Sequence, residues 1–208
     1  KDSQTCQNCH MPTKDDDGHV IETRIARAPP GFDFNINERT PFGRHAFVGA
    51  NALIPTILKQ ERDILNPQAT DEAFDATIAI ALNRLQELTA DIALENIVNS
   101  DEKLSFDINI TSQVGHKFPT GFPSRRAWLR VEILDENGES LCISGDSNDE
   151  GRLVEGHGDV LDVEKAGGGV EPHHEKITRG DAVQIYEAVM GNRSGARTVS
   201  LMQATDYI

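Results

Sequence analysis

Hydrophobic and polar positions divide the chain into three stretches with different patterns. Up to about residue 48 the apolar residues show no period, and the stretch contains Pro, Gly and an acidic cluster at residues 15–17. Between about residues 51 and 90 apolar residues recur at helical spacing, and from about residue 102 they alternate with polar ones. The pattern predicts an irregular first segment, in which a cofactor supplies the core, followed by two helices and a set of strands.

Helix-end signals support the two predicted helices. Asn51 is a candidate N-cap, and Pro55 fits only the first turn of the helix that follows. A second helix is predicted from about residue 70 to 90, because Thr70 is a candidate N-cap and Asp71 follows at the positive end of the helix dipole.

Alternating apolar and polar residues predict strands in the second half of the chain. Asn137-Gly138 is a strong hairpin signal between two of them. The predicted strands cover residues 104–110, 129–133, 141–144, 183–189 and 198–202. Several short strands joined by turns are typical of an antiparallel sandwich. The predicted fold class is therefore α+β, with an irregular and helical part over residues 1–101 and an antiparallel β-sandwich over residues 102–208.

Charge and hydropathy exclude two classes of partner. The 208 residues have a formal net charge of -14. Nucleic acids and anionic membrane surfaces attract basic proteins, so neither is expected to bind this chain. No apolar run approaches the ~20 residues that are needed to cross a bilayer, so we expect no membrane span in this chain.

The clearest chemical signal is the sequence Cys6-Gln7-Asn8-Cys9-His10, which has the C-x-x-C-H pattern of c-type haem attachment. Two thiols at this spacing reach the two vinyl groups on one porphyrin edge and form thioethers. The next residue, His10, is then carried beneath the ring, where its imidazole binds iron. The motif predicts one covalent haem c.

Two other uses of the cysteine pair are weaker. A structural zinc site needs two further Cys or His ligands at suitable spacing, which Cys142 and the other histidines could supply. A thioredoxin-like redox pair needs a strand before the motif and a helix after it, and that context is missing. Cys142 lies in a predicted strand, where a free cysteine is expected to be a small buried hydrophobe.

The second axial ligand is less certain from the residues alone. His45 is the best-placed histidine, since it precedes the first helix at a separation that lets a loop cross the haem, and Phe42 and Phe47 could shield the ring. An open distal site and three other histidines stay as alternatives: His116, His173 and His174. Arg44 is a candidate partner for a haem propionate, because guanidinium pairs well with carboxylate. Arg125 and Arg126 are comparable candidates, although an acidic side chain is the expected partner in so acidic a chain.

Several blocks of sequence together resemble a family of bacterial multihaem c-type cytochromes. They are the Cys-Gln-Asn-Cys-His-Met-Pro segment, HAFVGAN at residues 45–51, GHKFPTG at residues 115–121 with PSRRAW after it, and QIYE at residues 184–187. The resemblance implies periplasmic or cell-surface electron transfer, a haem ligand at His45 and a β domain after the GHKFPTG block. Members of the family usually carry several C-x-x-C-H motifs. We therefore expect either a monohaem relative or a fragment of a longer multihaem chain.

The sequence favours an electron carrier over an enzyme. It contains neither G-x-S-x-G nor H-E-x-x-H, the motifs of serine hydrolases and zinc peptidases. The expected partners are redox proteins, and other haem modules if the chain is part of a multihaem protein. The alternative is a haem enzyme or gas-binding protein with an open distal site, of the reductase or peroxidase type.

Overall fold

The structure is a computed structural model that describes residues 5–15, 17–24, 30–31, 35–47, 49–100, 103–119, 125–156, 158–165 and 167–208. Within these ranges the chain forms four α-helices, one short 3-10 helix and six separate two-stranded antiparallel ladders. The fold therefore mixes α and β structure, and the strands pair antiparallel. Among the residues described, no ladder extends beyond two strands.

The chain divides into two compact units, Lys1–Gly115 and His116–Ile208. The division lies after the long hairpin of the first unit. The boundary predicted near residue 102 lies between the two strands of that hairpin, Ala90–Ser100 and Lys103–Ser112. The predicted strand at residues 104–110 consequently belongs to the first unit.

The first unit contains the four α-helices and two of the ladders. Its elements are α1 (Cys6–His10), β1 (Thr23–Arg24), β2 (Glu38–Arg39), α2 (Leu53–Gln60), α3 (Arg62–Leu65), α4 (Asp71–Glu87), β3 (Ala90–Ser100) and β4 (Lys103–Ser112). Strand β1 pairs with β2, and β3 pairs with β4. The described part of residues 5–47 is otherwise irregular, as its lack of apolar period predicts.

The helix-end signal at Thr70 is confirmed, whereas the N-cap of α2 is Ala52 and not Asn51. The Asn51 carboxamide oxygen accepts the N–H of Ile54 at 3.2 Å, just ahead of the predicted first helix. Thr70 is the N-cap of α4, and its hydroxyl oxygen accepts the N–H of Ala73 at 3.3 Å. Among the residues that the structure describes, none of the helices combines the length and the apolar composition that crossing a membrane requires.

The hairpin β3–β4 contains one irregularity. The pairing register shifts between Glu95 and Val98, and Asn96 adopts a left-handed φ of 51° there. Before the shift, Ile92 lies opposite Ile110 and both side chains share one face of the hairpin. Strand β3 was not predicted, because the bulge interrupts the alternation on which a strand prediction depends.

The second unit contains the other four ladders. Its elements are β5 (Arg126–Trp128), β6 (Val131–Leu134), β7 (Ser140–Ser144), β8 (Asp146–Ser147), β9 (Leu153–Val154), the 3-10 helix (Asp162–Glu164), β10 (Ile185–Glu187), β11 (Met190–Asn192) and β12 (Ala204–Tyr207). The ladders join β5 with β10, β6 with β7, β8 with β9, and β11 with β12. The hairpin predicted around Asn137-Gly138 is confirmed as β6–β7. The N–H of Glu139 and then the amides of Asn137 donate to Asp135 in its turn, and they hold the pKa of that carboxyl below its ordinary value.

The strand predicted at residues 198–202 is wrong. The hydroxyl oxygen of Thr198 accepts the N–H of Ser200, and the carbonyl of Ser200 accepts the N–H groups of Gln203 and Ala204. These local hydrogen bonds close a turn instead of leaving the backbone free to pair. The strand begins only after the turn, as β12.

Apolar burial differs sharply between the units. Of the nine buried apolar side chains among the described residues, Phe74 and Ala81 lie in the first unit and the other seven in the second. The second unit has a contiguous core of Leu153, Leu161, Val163, Val183 and Ile185. A unit as long as the first normally encloses a core of its own, yet only these two apolar side chains are buried among its described residues.

A glycine-rich loop in the second unit is closed by an arginine. The Nη1 atom of Arg197 donates to the carbonyl oxygens of Val163, Gly168 and Gly169 at 3.0, 3.2 and 2.7 Å. A Cβ atom at Gly168 would lie 1.6 Å from the carbonyl oxygen of Asp162, so only glycine fits at this position.

Candidate functional site

The two cysteines and the histidine of the C-x-x-C-H motif occupy a single helical segment. Helix α1 begins at Cys6 and ends at His10. Residues three and four positions apart share one face of a helix, so the Cys6 and Cys9 thiols and the His10 imidazole project from the same side. Both cysteines are exposed and neither is in a disulfide, while His10 is half-buried. This donor set fits a haem that is bound by two thioethers and one axial imidazole.

A second segment lies directly against the end of α1. The N–H of Phe47 donates to the carbonyl of His10 at 3.1 Å, and the N–H of Arg44 donates to the carbonyl of Pro12 at 3.0 Å. A Cβ atom at Gly43 would stand 3.4 Å from the side chain of Met11, so the two backbones approach closely there. The structure thus brings residues 43–47 and the C-x-x-C-H segment together.

His45 lies in the middle of this second segment, between two aromatic rings. Its ring centroid is 6.2 Å from that of Phe42 and 5.6 Å from that of Phe47, with interplanar angles of 28° and 30°. The side chain of His45 is exposed. The imidazole of His45 is therefore both exposed to solvent and flanked by phenyl rings.

Of the alternative histidines, His116 keeps a nitrogen in the form that binds metals. Its Nδ1 atom lies 3.1 Å from the carbonyl oxygen of Lys117. A carbonyl can only accept, so Nδ1 carries the proton and Nε2 has the lone pair in the neutral ring. A backbone partner on the second nitrogen is typical of metal-binding histidines.

His173 and His174 are tied into the second unit by the buried side chain of Gln184. The Gln184 oxygen accepts the N–H of His174 at 2.7 Å, which turns its NH₂ group toward the carbonyl of Ile185 and the Nδ1 atom of His173, 3.3 and 2.9 Å away. Nδ1 of His173 must then accept, so its proton lies on Nε2. Nε2 of His174 is hydrogen-bonded to Glu171 at 2.7 Å. Nε2 is the nitrogen that most often binds haem iron. It carries the proton in His173 and is hydrogen-bonded to a carboxylate in His174, so neither ring offers it freely.

The arginines have different surroundings. The N–H of Arg44 bonds Pro12, but its guanidinium has no hydrogen-bond or ion-pair partner among the described residues. Arg126 is paired with Glu164 and lies 5.6 Å from the centroid of the Trp128 ring. The expectation of an acidic partner is therefore confirmed for Arg126.

Cys142 is exposed on β7, opposite Ile133, and it is not in a disulfide. The expectation that it is buried is wrong, because the register of the β6–β7 hairpin places it on the solvent face. His157 and residues 120–124, part of the GHKFPTG block and its continuation, lie outside the described residues.

A small cluster of possible metal ligands lies elsewhere in the first unit. Among the described residues, Asp15, Asp17 and His19 have ligand atoms within 4.8 Å of one another. The same Asp15 oxygen accepts the N–H groups of Asp17 and His19 at 3.1 and 2.8 Å. The grouping therefore follows from an ordinary turn that the Asp15 side chain closes.

The sequence indicated which residues are candidate ligands. It did not indicate the side-chain and backbone contacts that position them. Nothing in the sequence indicated that Met11 packs on Gly43 or that Gln184 fixes two histidines. The proximity of Phe42 and Phe47 to His45 was the one usable signal, since residues so close in sequence can stack on one another.

In comparisons with known proteins, no family model, no curated protein and no solved structure matches this chain.

Proposed function

We propose that this chain is an electron-transfer protein with one covalently bound haem c, either as a monohaem cytochrome or as one haem module of a multihaem cytochrome. The observation that carries the proposal is the arrangement of Cys6, Cys9 and His10 on one face of α1, with both thiols exposed. The thiols would form the two thioethers and His10 would be the first axial ligand. The haem, when bound, supplies the redox chemistry by cycling between ferric and ferrous iron.

The apolar surface of the first unit supports a large apolar cofactor there. Side chains such as Phe47, Leu53 and Ile64 are 64%, 67% and 79% exposed. A porphyrin that covers part of this surface would take the place of the missing core, because its burial removes apolar area from water on both partners. This observation favours a haem over a zinc ion, which would cover almost no apolar surface.

His45 is proposed as the second axial ligand. Two backbone hydrogen bonds fix its segment beside His10 and Pro12, and its exposed ring stacks with those of Phe42 and Phe47. His116 is the alternative with a suitable tautomer, whereas the bonds of His173 and His174 disfavour both. Two imidazole ligands would give a lower reduction potential than a histidine with a methionine.

Arg44 is proposed to pair with a haem propionate. Its backbone is fixed to Pro12, next to the C-x-x-C-H segment, and its guanidinium has no ion-pair partner among the described residues. A guanidinium offers a carboxylate two parallel hydrogen bonds.

The wider setting follows from the same proposal. C-type haem is attached outside the cytoplasm, so a bacterial periplasmic or cell-surface location is proposed, with redox proteins or neighbouring haem modules as partners. Membership of the multihaem cytochrome family is part of the proposal. So is a β-sandwich over residues 102–208, since the antiparallel ladders supply the strands that a sandwich needs.

Haem attachment is tested by expressing the chain in a host with a c-type maturation system and measuring the intact mass after denaturation. The unmodified chain is expected to retain one haem, whereas Cys6→Ala together with Cys9→Ala should lose it. Cys142→Ala is the matched control and should retain the haem, because Cys142 is exposed but outside the motif. A chain that matures with no covalent haem, or that binds zinc at the motif instead, would contradict the proposal.

His45→Ala tests the second ligand. The unmodified ferric protein is expected to be low-spin and six-coordinate, and the reduced protein should not bind carbon monoxide. His45→Ala should produce a high-spin form that binds carbon monoxide, while the control His19→Ala should not. An unchanged low-spin spectrum in His45→Ala would rule out this ligand. Carbon monoxide binding by the unmodified protein would favour the open-site haem enzyme.

A further inference from the structure

Phe47 has an unusual backbone conformation at a position where glycine would be expected. Its φ is 48°, in the left-handed region, and its side chain is a bulky aromatic ring. A residue other than glycine is destabilised there by about 1 kcal/mol or more. Such strain persists only where neighbouring contacts hold it, and it concentrates at functional sites.

Two contacts hold Phe47, and each reaches one of the two proposed iron ligands. Its N–H donates to the carbonyl of His10 at 3.1 Å, and its ring stacks on His45 with centroids 5.6 Å apart. Both contacts belong to the same residue, so Phe47 links the position of the His45 ring to the end of α1, next to the hydrogen bond between Arg44 and Pro12. A residue with ordinary φ at this position would direct either the N–H or the ring elsewhere.

Phe42 completes the arrangement on the other side of His45. Its ring centroid lies 6.2 Å from that of His45, and its N–H donates to the carbonyl of Ile21 at 2.8 Å. The imidazole therefore stacks between two phenyl rings whose backbones are anchored to different parts of the first segment.

We infer that Phe47 is a positioning residue that, together with Phe42, fixes the plane of the His45 imidazole for iron binding. The inference rests on the proposed function, since it requires His45 to be an iron ligand. The orientation of an axial imidazole sets the splitting of the iron d orbitals in low-spin ferric haem. That splitting determines the g values in the electron paramagnetic resonance spectrum, so the role has a signature that a purely structural residue would not affect.

The test compares paramagnetic resonance spectra of the haem-loaded full chain in five forms: unmodified, Phe47→Leu, Phe47→Gly, Phe47→Tyr and Phe106→Leu. Leu removes the aromatic stack but keeps a side chain at the left-handed φ, and Gly removes both the ring and the strain. Both are expected to shift or broaden the largest g value, or to lose the low-spin signal. Phe47→Tyr, which keeps the ring, should retain the unmodified spectrum. Phe106→Leu is the control on β4, outside the stack, and should also leave the spectrum unchanged.

Two failures are distinguishable in this experiment. If the unmodified chain lacks covalent haem or shows no low-spin signal, the proposed function or its ligand assignment fails. If the unmodified chain is low-spin and Phe47→Leu and Phe47→Gly have the same g values as it does, the positioning role of Phe47 is overturned. A spectral change that occurs equally in Phe47→Tyr or in Phe106→Leu would also overturn it, because the change would then be independent of the stacked ring.

Discussion

Gln184 is the most deeply buried polar side chain among the described residues, with 3% of its surface exposed. Its amide oxygen and nitrogen are both satisfied, by the N–H of His174 on one side and by His173 and the carbonyl of Ile185 on the other. A buried amide with its partners in place fixes the segment that contains both histidines to β10. We therefore expect Gln184 to stabilise the second unit in addition to the apolar core of that unit.

Gln184→Leu is expected to destabilise the second unit by about 1–3 kcal/mol, because the N–H of His174 loses its acceptor while the side-chain volume changes little. Denaturant unfolding, followed through fluorescence of Trp128, measures the effect. The control is Gln203→Leu, an exposed glutamine of the same unit, which should change the free energy of unfolding by less than about 0.5 kcal/mol. Equal effects of the two substitutions would contradict the role assigned to Gln184.

Residue identity was sufficient to find the C-x-x-C-H motif and to propose haem attachment from it. It was also sufficient to propose His45, although only as the best placed of several histidines. It could not separate His116 from His173 and His174, since that distinction depends on which ring nitrogen has a hydrogen-bond partner. Folding of the chain brings these partners, such as Gln184 and Glu171, to the histidines. The spacing of the histidines in the sequence therefore does not indicate them.

Helix α4 is the element whose ends were best predicted from the sequence. Thr70 satisfies one of the free N–H groups of its first turn, and Asp71 and Glu72 add negative charge at the positive end of the helix dipole. The helix is long enough to be formed locally but has only two buried apolar side chains, Phe74 and Ala81. Its ends therefore depend more than usual on capping.

Thr70→Ala is expected to destabilise the first turn of α4 by about 1 kcal/mol, because the N–H of Ala73 loses its acceptor. Amide hydrogen exchange of the haem-loaded chain, read at Ala73 and Phe74, whose N–H groups are bonded to Thr70, should show roughly fivefold faster exchange. Thr77→Ala is the matched control, since Thr77 bonds a carbonyl within the same helix and caps nothing. Slower or unchanged exchange in Thr70→Ala would show that the cap contributes no stability.

The transition from α4 to β3 shows where element prediction from sequence fails. Residues near 90 include Ala, Leu and Glu, which favour helices, so the helical pattern gave no reason to end before residue 90. Strand formation at β3 is determined by pairing with β4, whose alternation is clear, and by the bulge at Asn96, which shifts the register. Non-local pairing overrides local preference here, as strand propensity commonly yields to context.

At the scale of the whole molecule, the two units differ in the interactions that stabilise each of them internally. The second encloses a core around Leu153 and Val183, both of which are fully buried. The first has almost no buried apolar side chain in its described residues, and its order is expected to depend on the cofactor. Anything that binds only the folded form stabilises that form, and a covalent haem cannot dissociate from it.

Hydrogen exchange of the full chain with Cys6→Ala and Cys9→Ala tests this difference. Compared with the haem-loaded protein, the haem-free chain is expected to lose protection in α2 and α4 by more than about tenfold, equivalent to ~1.4 kcal/mol. Amides of β10 serve as the internal control and should keep their protection, because the second unit has a contiguous apolar core of its own. An equal loss in both units would show that the second unit is not independently stable. Equal protection with and without haem would show that the first unit needs no cofactor.

In the glycine-rich loop of the second unit, an arginine side chain satisfies three converging carbonyl oxygens. Three carbonyls that converge in this way often bind a soluble cation such as calcium. Here the positive charge belongs to Arg197 and is covalently part of the chain. The conformation of the loop is therefore independent of the ionic composition of the surroundings. A change in the concentration of divalent cations would therefore leave this loop in place.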